Sequence, residues 1–209
     1  MQITLGRGLP HGVAGNIPCV ITRLVDPEVR HVACIGLMAA GKSSVGARVA
    51  ALLGWPLVDV DDEVEARAGK SVVELAYEGG EDAYRPWERQ VVLEALEAPE
   101  PSVVTAPGGI ALDPDARKAM GATDVVAVYL RANPESLATQ AAHEVPHEGL
   151  PATDDPLTVL RGMFRDRDAT YRALADVEVQ VDGRSHDEIA SVVLAALTGH
   201  PAPLPRVIP

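Results

Sequence analysis

Phenylalanine occurs once, at Phe164, and aromatic residues make up only 3% of the 209-residue chain. A core so poor in rings must be built from Val, Leu, Ile and Ala, which suits a parallel sheet covered on both faces. Two cysteines, Cys19 and Cys34, are too few for a disulfide framework or a cysteine-rich zinc site. No run approaches the ~20 apolar residues of a membrane span. The N-terminal stretch lacks the charged-then-apolar order of a secretory signal, so the expected compartment is the cytoplasm. Positive charge is scarce too: 18 Lys+Arg against 30 Asp+Glu give a formal net charge of −12. That balance argues against broad binding to nucleic acid or to an anionic membrane. What remains is ordinary globular composition, 47% hydrophobic and 23% charged, at a length that suits one domain.

Residues 1–30 are rich in Gly and Pro and read as an N-terminal extension with at most one strand, at 19–23. Residues 199–209 contain four prolines and read as a tail that no helix can continue. Between them, strand-like and helix-like segments alternate. Apolar runs at 32–36, 57–60, 102–106, 124–130 and 177–181 are the strand candidates. Helical patterns fill 42–53, 61–78, 81–96, 114–120, an Ala-rich stretch after 130, 155–174 and 186–197. Five β runs separated by helices predict an α/β fold, a five-stranded parallel sheet sandwiched by helices in three layers. Cys34 falls inside the first strand and is expected to be a buried small hydrophobe.

Gly36-Leu37-Met38-Ala39-Ala40-Gly41-Lys42-Ser43 fits G-x-x-x-x-G-K-[ST], with an apolar strand before it and a helix after it. The glycines let the backbone curl so that amides at Gly36, Ala39, Ala40, Gly41 and on to Ser44 surround one anion. Lys42 adds a point charge near the outer phosphates, and the Ser43 hydroxyl is a candidate ligand for Mg²⁺. The following helix turns its positive end toward the same place. This loop is expected to bind a nucleotide. Asp59 and Asp61, at i and i+2 near a strand end, are expected to point to one side of it.

Further along, residues 80–88 read GEDAYRPWE, Pro107-Gly108-Gly109 follows the third apolar run, and Arg167-Asp168-Ala169-Thr170-Tyr171 precedes the last one. With GLMAAGKSSVG at 36–46 and LVDVD at 57–61, this ordered set resembles the shikimate kinases, P-loop small-molecule kinases of the nucleoside-monophosphate-kinase fold. The resemblance covers about residues 31–198, a P-loop kinase domain with its lid at about 143–155. It implies ATP and Mg²⁺, a small hydroxylated carboxylate as acceptor, and a monomer without nucleic acid or membrane partners. By that resemblance Asp59 lies near the Mg²⁺ with Ser43, and Asp61 binds substrate hydroxyls as candidate base. Arg85 and Arg167 share the substrate carboxylate, a group that suits a guanidinium fork. Gly108 and Gly109 let backbone approach the same molecule.

The chain also departs from the family. Pro107 replaces the first of three glycines and has no N–H to give. Pro86 biases Arg85 away from helical geometry, so Arg85 is expected just before a helix that starts at Pro86. Residues 132–160 carry five acids and neither Lys nor Arg, where the family has an adenine-stacking and a phosphate-binding arginine. Spacing puts Thr139 or Gln140 at the first position and His147 near the second, so His147 is a candidate catalytic cation when protonated. Three activities stay open on these residues. They are a kinase of shikimate or a close relative in aromatic amino acid biosynthesis, a kinase of another polyol or hydroxy acid, and a catalytically weak nucleotide-binding regulator.

Overall fold

The structure is a computed structural model that describes residues 25–141 and 155–199. The strand expected at 19–23, His147 with nearly all of the expected lid, and the tail beyond 199 lie outside the described residues.

Five strands form one parallel sheet: β1 (His31–Ile35), β2 (Leu57–Asp59), β3 (Ser102–Thr105), β4 (Val125–Arg131) and β5 (Val177–Gln180). Their order across the sheet is β2-β3-β1-β4-β5. The helices are α1 (Lys42–Leu53), α2 (Val60–Ala68), α3 (Val72–Gly79), α4 (Glu81–Glu97), α5 (Pro114–Met120), α6 (Pro134–Ala141), α7 (Pro156–Leu174) and α8 (His186–Leu197). Right-handed crossovers put α1 on one face, where α8 packs against it, and α4, α5 and α7 on the other. The sequence HVACI of β1 is buried along its whole length, as is SVVT of β3, because both central strands are covered on both faces. Cys34 is fully buried in β1, and that burial pushes its thiol up to about 12.

The sequence predicts one helical region at 61–78; the structure has two helices there. Gly69, at φ 69°, closes α2 in the left-handed conformation. Ser71 and Glu74 then open α3 with a reciprocal capping box. Arg85 also differs from expectation, because it lies inside α4 and not ahead of it. Pro86 sits within the helix and leaves the Asp82 carbonyl without its intrahelical donor, but Asp82 is exposed and water can serve it. Ion pairs from Arg85 to Glu81 and Glu88, about one turn away on either side, favour the helical position.

Candidate active site

The loop between β1 and α1 carries three residues at positive φ: Gly36 at 144°, Ala39 at 59° and Gly41 at 79°. Gly36 has a second constraint, since a Cβ there would meet the Leu130 carbonyl oxygen at 2.6 Å. The first turn of α1 has no side-chain cap, so its amides are left for an anion. Lys42 folds back over the loop and donates to the Leu37 carbonyl at 3.0 Å. The His186 ring, from the first turn of α8, packs where a Cβ on Gly41 would stand, with Nε2 at 2.9 Å.

Asp59 ends β2 and serves as N-cap of α2, accepting a hydrogen bond from the Asp61 amide at 3.2 Å. Asp61 therefore belongs to the first turn of a helix, which corrects the expectation that both aspartates share one side of a strand. The helix begins at once because Asp59 supplies the cap and Asp61, Asp62 and Glu63 suit its positive end. Burial pushes the Asp61 carboxyl up to about 6; Lys42 draws it back down, while Asp59, Asp62 and Glu65 raise it. Asp61 thus lies within electrostatic reach of the loop lysine.

Arg85 donates to Glu88 at 2.7 Å and to Glu81 at 3.2 Å, and its guanidinium lies 4.8 Å from the centre of the Tyr84 ring. Burial opposes the Arg85 charge, but Glu88 and Glu81 hold it above the ordinary arginine value. Glu88 is 2% exposed, and burial, with Asp61 and Glu81 nearby, pushes its carboxyl up to about 7 against the pull of Arg85. Across the site, the Tyr171 hydroxyl donates to the Gly108 carbonyl at 2.5 Å, within electrostatic reach of Arg167. Burial raises the Tyr171 hydroxyl, and the charges of Arg167 and Arg85 pull it down, so both arginines act on one point. Gly108 in turn lies against the Gly36 carbonyl, at 3.1 Å from its would-be Cβ, which ties this rim to the phosphate loop.

The structure gathers Gly36, Lys42, Asp61, Arg85, Gly108, Gly109 and Arg167 at the carboxyl edge of the sheet, where open α/β sheets bind ligands. Of the residues set against the lid positions, Thr139 donates its hydroxyl to the Glu135 carbonyl and Gln140 is exposed. Glu88 and Tyr171 stand in quoted motifs without an assigned role, and their placement shows one for each. Nothing in the sequence links His186 to Gly41, which only the packing of α8 on α1 brings together.

Among the described residues no three His, Cys, Asp or Glu cluster as a metal cage. Ser43 and Asp59 beside an anion loop suit Mg²⁺, which takes one or two protein groups and completes its shell with phosphate and water. No helix among the described residues is long and apolar enough to cross a membrane.

A family model described as shikimate kinase matches residues 38–198. A shikimate kinase of Caulobacter vibrioides is 36% identical over 174 residues, covering 83% of this chain and 85% of the relative. A shikimate kinase from Acinetobacter baumannii in complex with shikimate superposes with TM-score 0.76 at 24% identity, over 82% of this chain and 94% of that one. A shikimate kinase from Aquifex aeolicus gives TM-score 0.68 at 25% identity, over 81% and 96%.

Proposed function

The chain belongs to the shikimate kinase family, and from that premise we propose that it transfers the γ-phosphoryl group of ATP to a hydroxyl of shikimate. The observation that carries this reading is the joining of two sites at one rim. A phosphate loop with an uncapped helix end touches, through Gly36 and Gly108, a pocket on which Arg85 and Arg167 converge. One end suits a triphosphate and the other a carboxylate.

The loop amides and Lys42 hold the phosphates of ATP. Ser43 and Asp59 would hold Mg²⁺, which when bound supplies charge neutralisation on the phosphate oxygens. Arg85 and Arg167 fix the acid by its carboxylate, and Glu88 keeps Arg85 aimed at it. Asp61 takes the proton from the acceptor hydroxyl as that oxygen bonds to the γ-phosphorus and the bond from phosphorus to ADP breaks. Its raised carboxyl makes it a stronger base than an exposed aspartate and still leaves it mostly ionised near neutrality.

The test is ADP release from Mg·ATP with shikimate and a panel of other hydroxy acids and polyols, gluconate included. Release with shikimate is expected, and it should vanish in Lys42→Ala while the melting curve stays cooperative. Release with another acceptor but not with shikimate would overturn the substrate assignment.

A further inference from the structure

Thr105, the last residue of β3, is 3% exposed, and among the described residues its Oγ1 is the one buried side-chain polar atom without a hydrogen-bond partner. Buried hydroxyls nearly always find a partner, and one left alone lowers stability, so an exception needs a cause. The surroundings supply it. Thr105 is the register partner of Asp59 on β2 and of Cys34 on β1, so in a parallel sheet the three side chains share one face. That face is the one under α1, because the Thr105 methyl fills the place where a Cβ on Gly46 would stand. Ser43 is three residues before Gly46 and therefore on the same side of α1, one turn nearer the phosphate loop. Asp59 caps α2 by accepting from the Asp61 amide, and neither of its oxygens bonds the Thr105 hydroxyl. The methyl meets α1 at Gly46, and the unpartnered hydroxyl belongs to the same sheet face as Asp59, its register neighbour on β2.

We propose that the Thr105 hydroxyl holds a water of the magnesium shell, making Thr105 a positioning residue for the metal beside Ser43 and Asp59. The inference rests on the Mg·ATP reading above and deepens it. Mg²⁺ keeps several of its waters, so an uncharged partner that holds one of them orients the shell without adding charge. The hydroxyl gains the partner that the free protein denies it. Thr105 thus acts through the metal, and its effect belongs in metal-dependent binding before any turnover.

The experiment measures ADP affinity of the full chain by calorimetry, with Mg²⁺ and with the metal chelated, in the wild type, Thr105→Val and Thr105→Ser. In Thr105→Val, affinity without metal should be unchanged and the gain from Mg²⁺ should shrink about threefold to tenfold, the worth of one hydrogen bond. Thr105→Ser should keep the gain, and Mn²⁺ affinity in the ADP complex, read by electron spin resonance, should follow the same order. The melting temperature of metal-free Thr105→Val should not fall, since a methyl replaces an orphaned hydroxyl. Should Thr105→Val not fold, Thr105→Ala against Thr105→Ser carries the same comparison. A wild-type Mg²⁺ gain in the hydroxyl-free variant, or an equal loss in the serine variant, overturns the inference and leaves the kinase reading standing. A wild type whose ADP affinity ignores Mg²⁺ overturns both.

Discussion

The Arg85 guanidinium lies face-on against Gly109: a Cβ on that glycine would stand 2.2 Å from Cζ, Nη1 and Nη2 alike. The backbone of Gly109 is helical, at φ −78° and ψ −26°, a conformation open to any residue. The neighbour, and not the backbone, requires glycine here. Gly109→Ala is therefore expected to fold normally and to push Arg85 out of place. The KM for shikimate should rise about tenfold or more, from ~1.5–3 kcal/mol for a charged hydrogen bond, while the Kd for ADP holds. An unchanged KM would show that Arg85 can move aside and still reach the acid.

Asp61 ties activity and stability to pH with opposite signs. In the proposed role of base it must be ionised, so kcat/KM should fall roughly tenfold per pH unit below its pKa, which burial places at about 6. For stability, the folded protein binds this proton more tightly than the unfolded chain does. The contribution is complete at pH values below the ordinary carboxylate range and is lost as pH rises through about 6. Asp61→Asn should thus be inactive yet more stable than the wild type at pH 8, by about 1–3 kcal/mol, and should lose that advantage by pH 4. Urea melts at both values check it. A variant less stable than the wild type at pH 8 would mean that Asp61 is held by attraction and not strained by burial.

Cations around the lid make the third prediction. Residues 132–160 contain neither Lys nor Arg. The first arginines after them are engaged, Arg161 with Glu135 at 2.7 Å and Arg165 with Asp166 at 3.1 Å. If His147 supplies charge to the moving phosphoryl group, His147→Arg should raise kcat at pH 7.5, where arginine is charged and an ordinary histidine is not. Stopped-flow turnover compares the two. No gain, together with a wild-type rate that does not change between pH 6 and 8, removes His147 from the mechanism.

The sheet was legible because β1 and β3 are apolar on both faces, and the phosphate loop because its glycines and lysine have fixed spacing. Asp59 ends its strand as the sequence implies, but Asp61 opens a helix, since a two-residue period reads as strand unless the capping bond between them is known. Arg85 lies inside its helix against the local bias of Pro86, which two ion pairs outweigh. Thr105 left no trace in the chain; an unpartnered hydroxyl is defined by what three separate elements fail to offer it. The same holds for His186, whose contact with Gly41 depends on the last helix closing over the first.

If Arg85 holds the acid as proposed, Glu88 makes substrate capture a protonation event. Its carboxyl, pushed up to about 7 by burial, has Arg85 as its chief source of opposing charge. A bound carboxylate takes a share of that guanidinium and brings a negative charge of its own, so the affinity of Glu88 for a proton must rise. Near neutral pH the complex then takes up part of a proton from the buffer as it forms. The heat of binding carries the ionisation enthalpy of whatever buffer supplies that proton, and affinity for the acid strengthens as the solution is made mildly acidic, until Asp61 also begins to titrate.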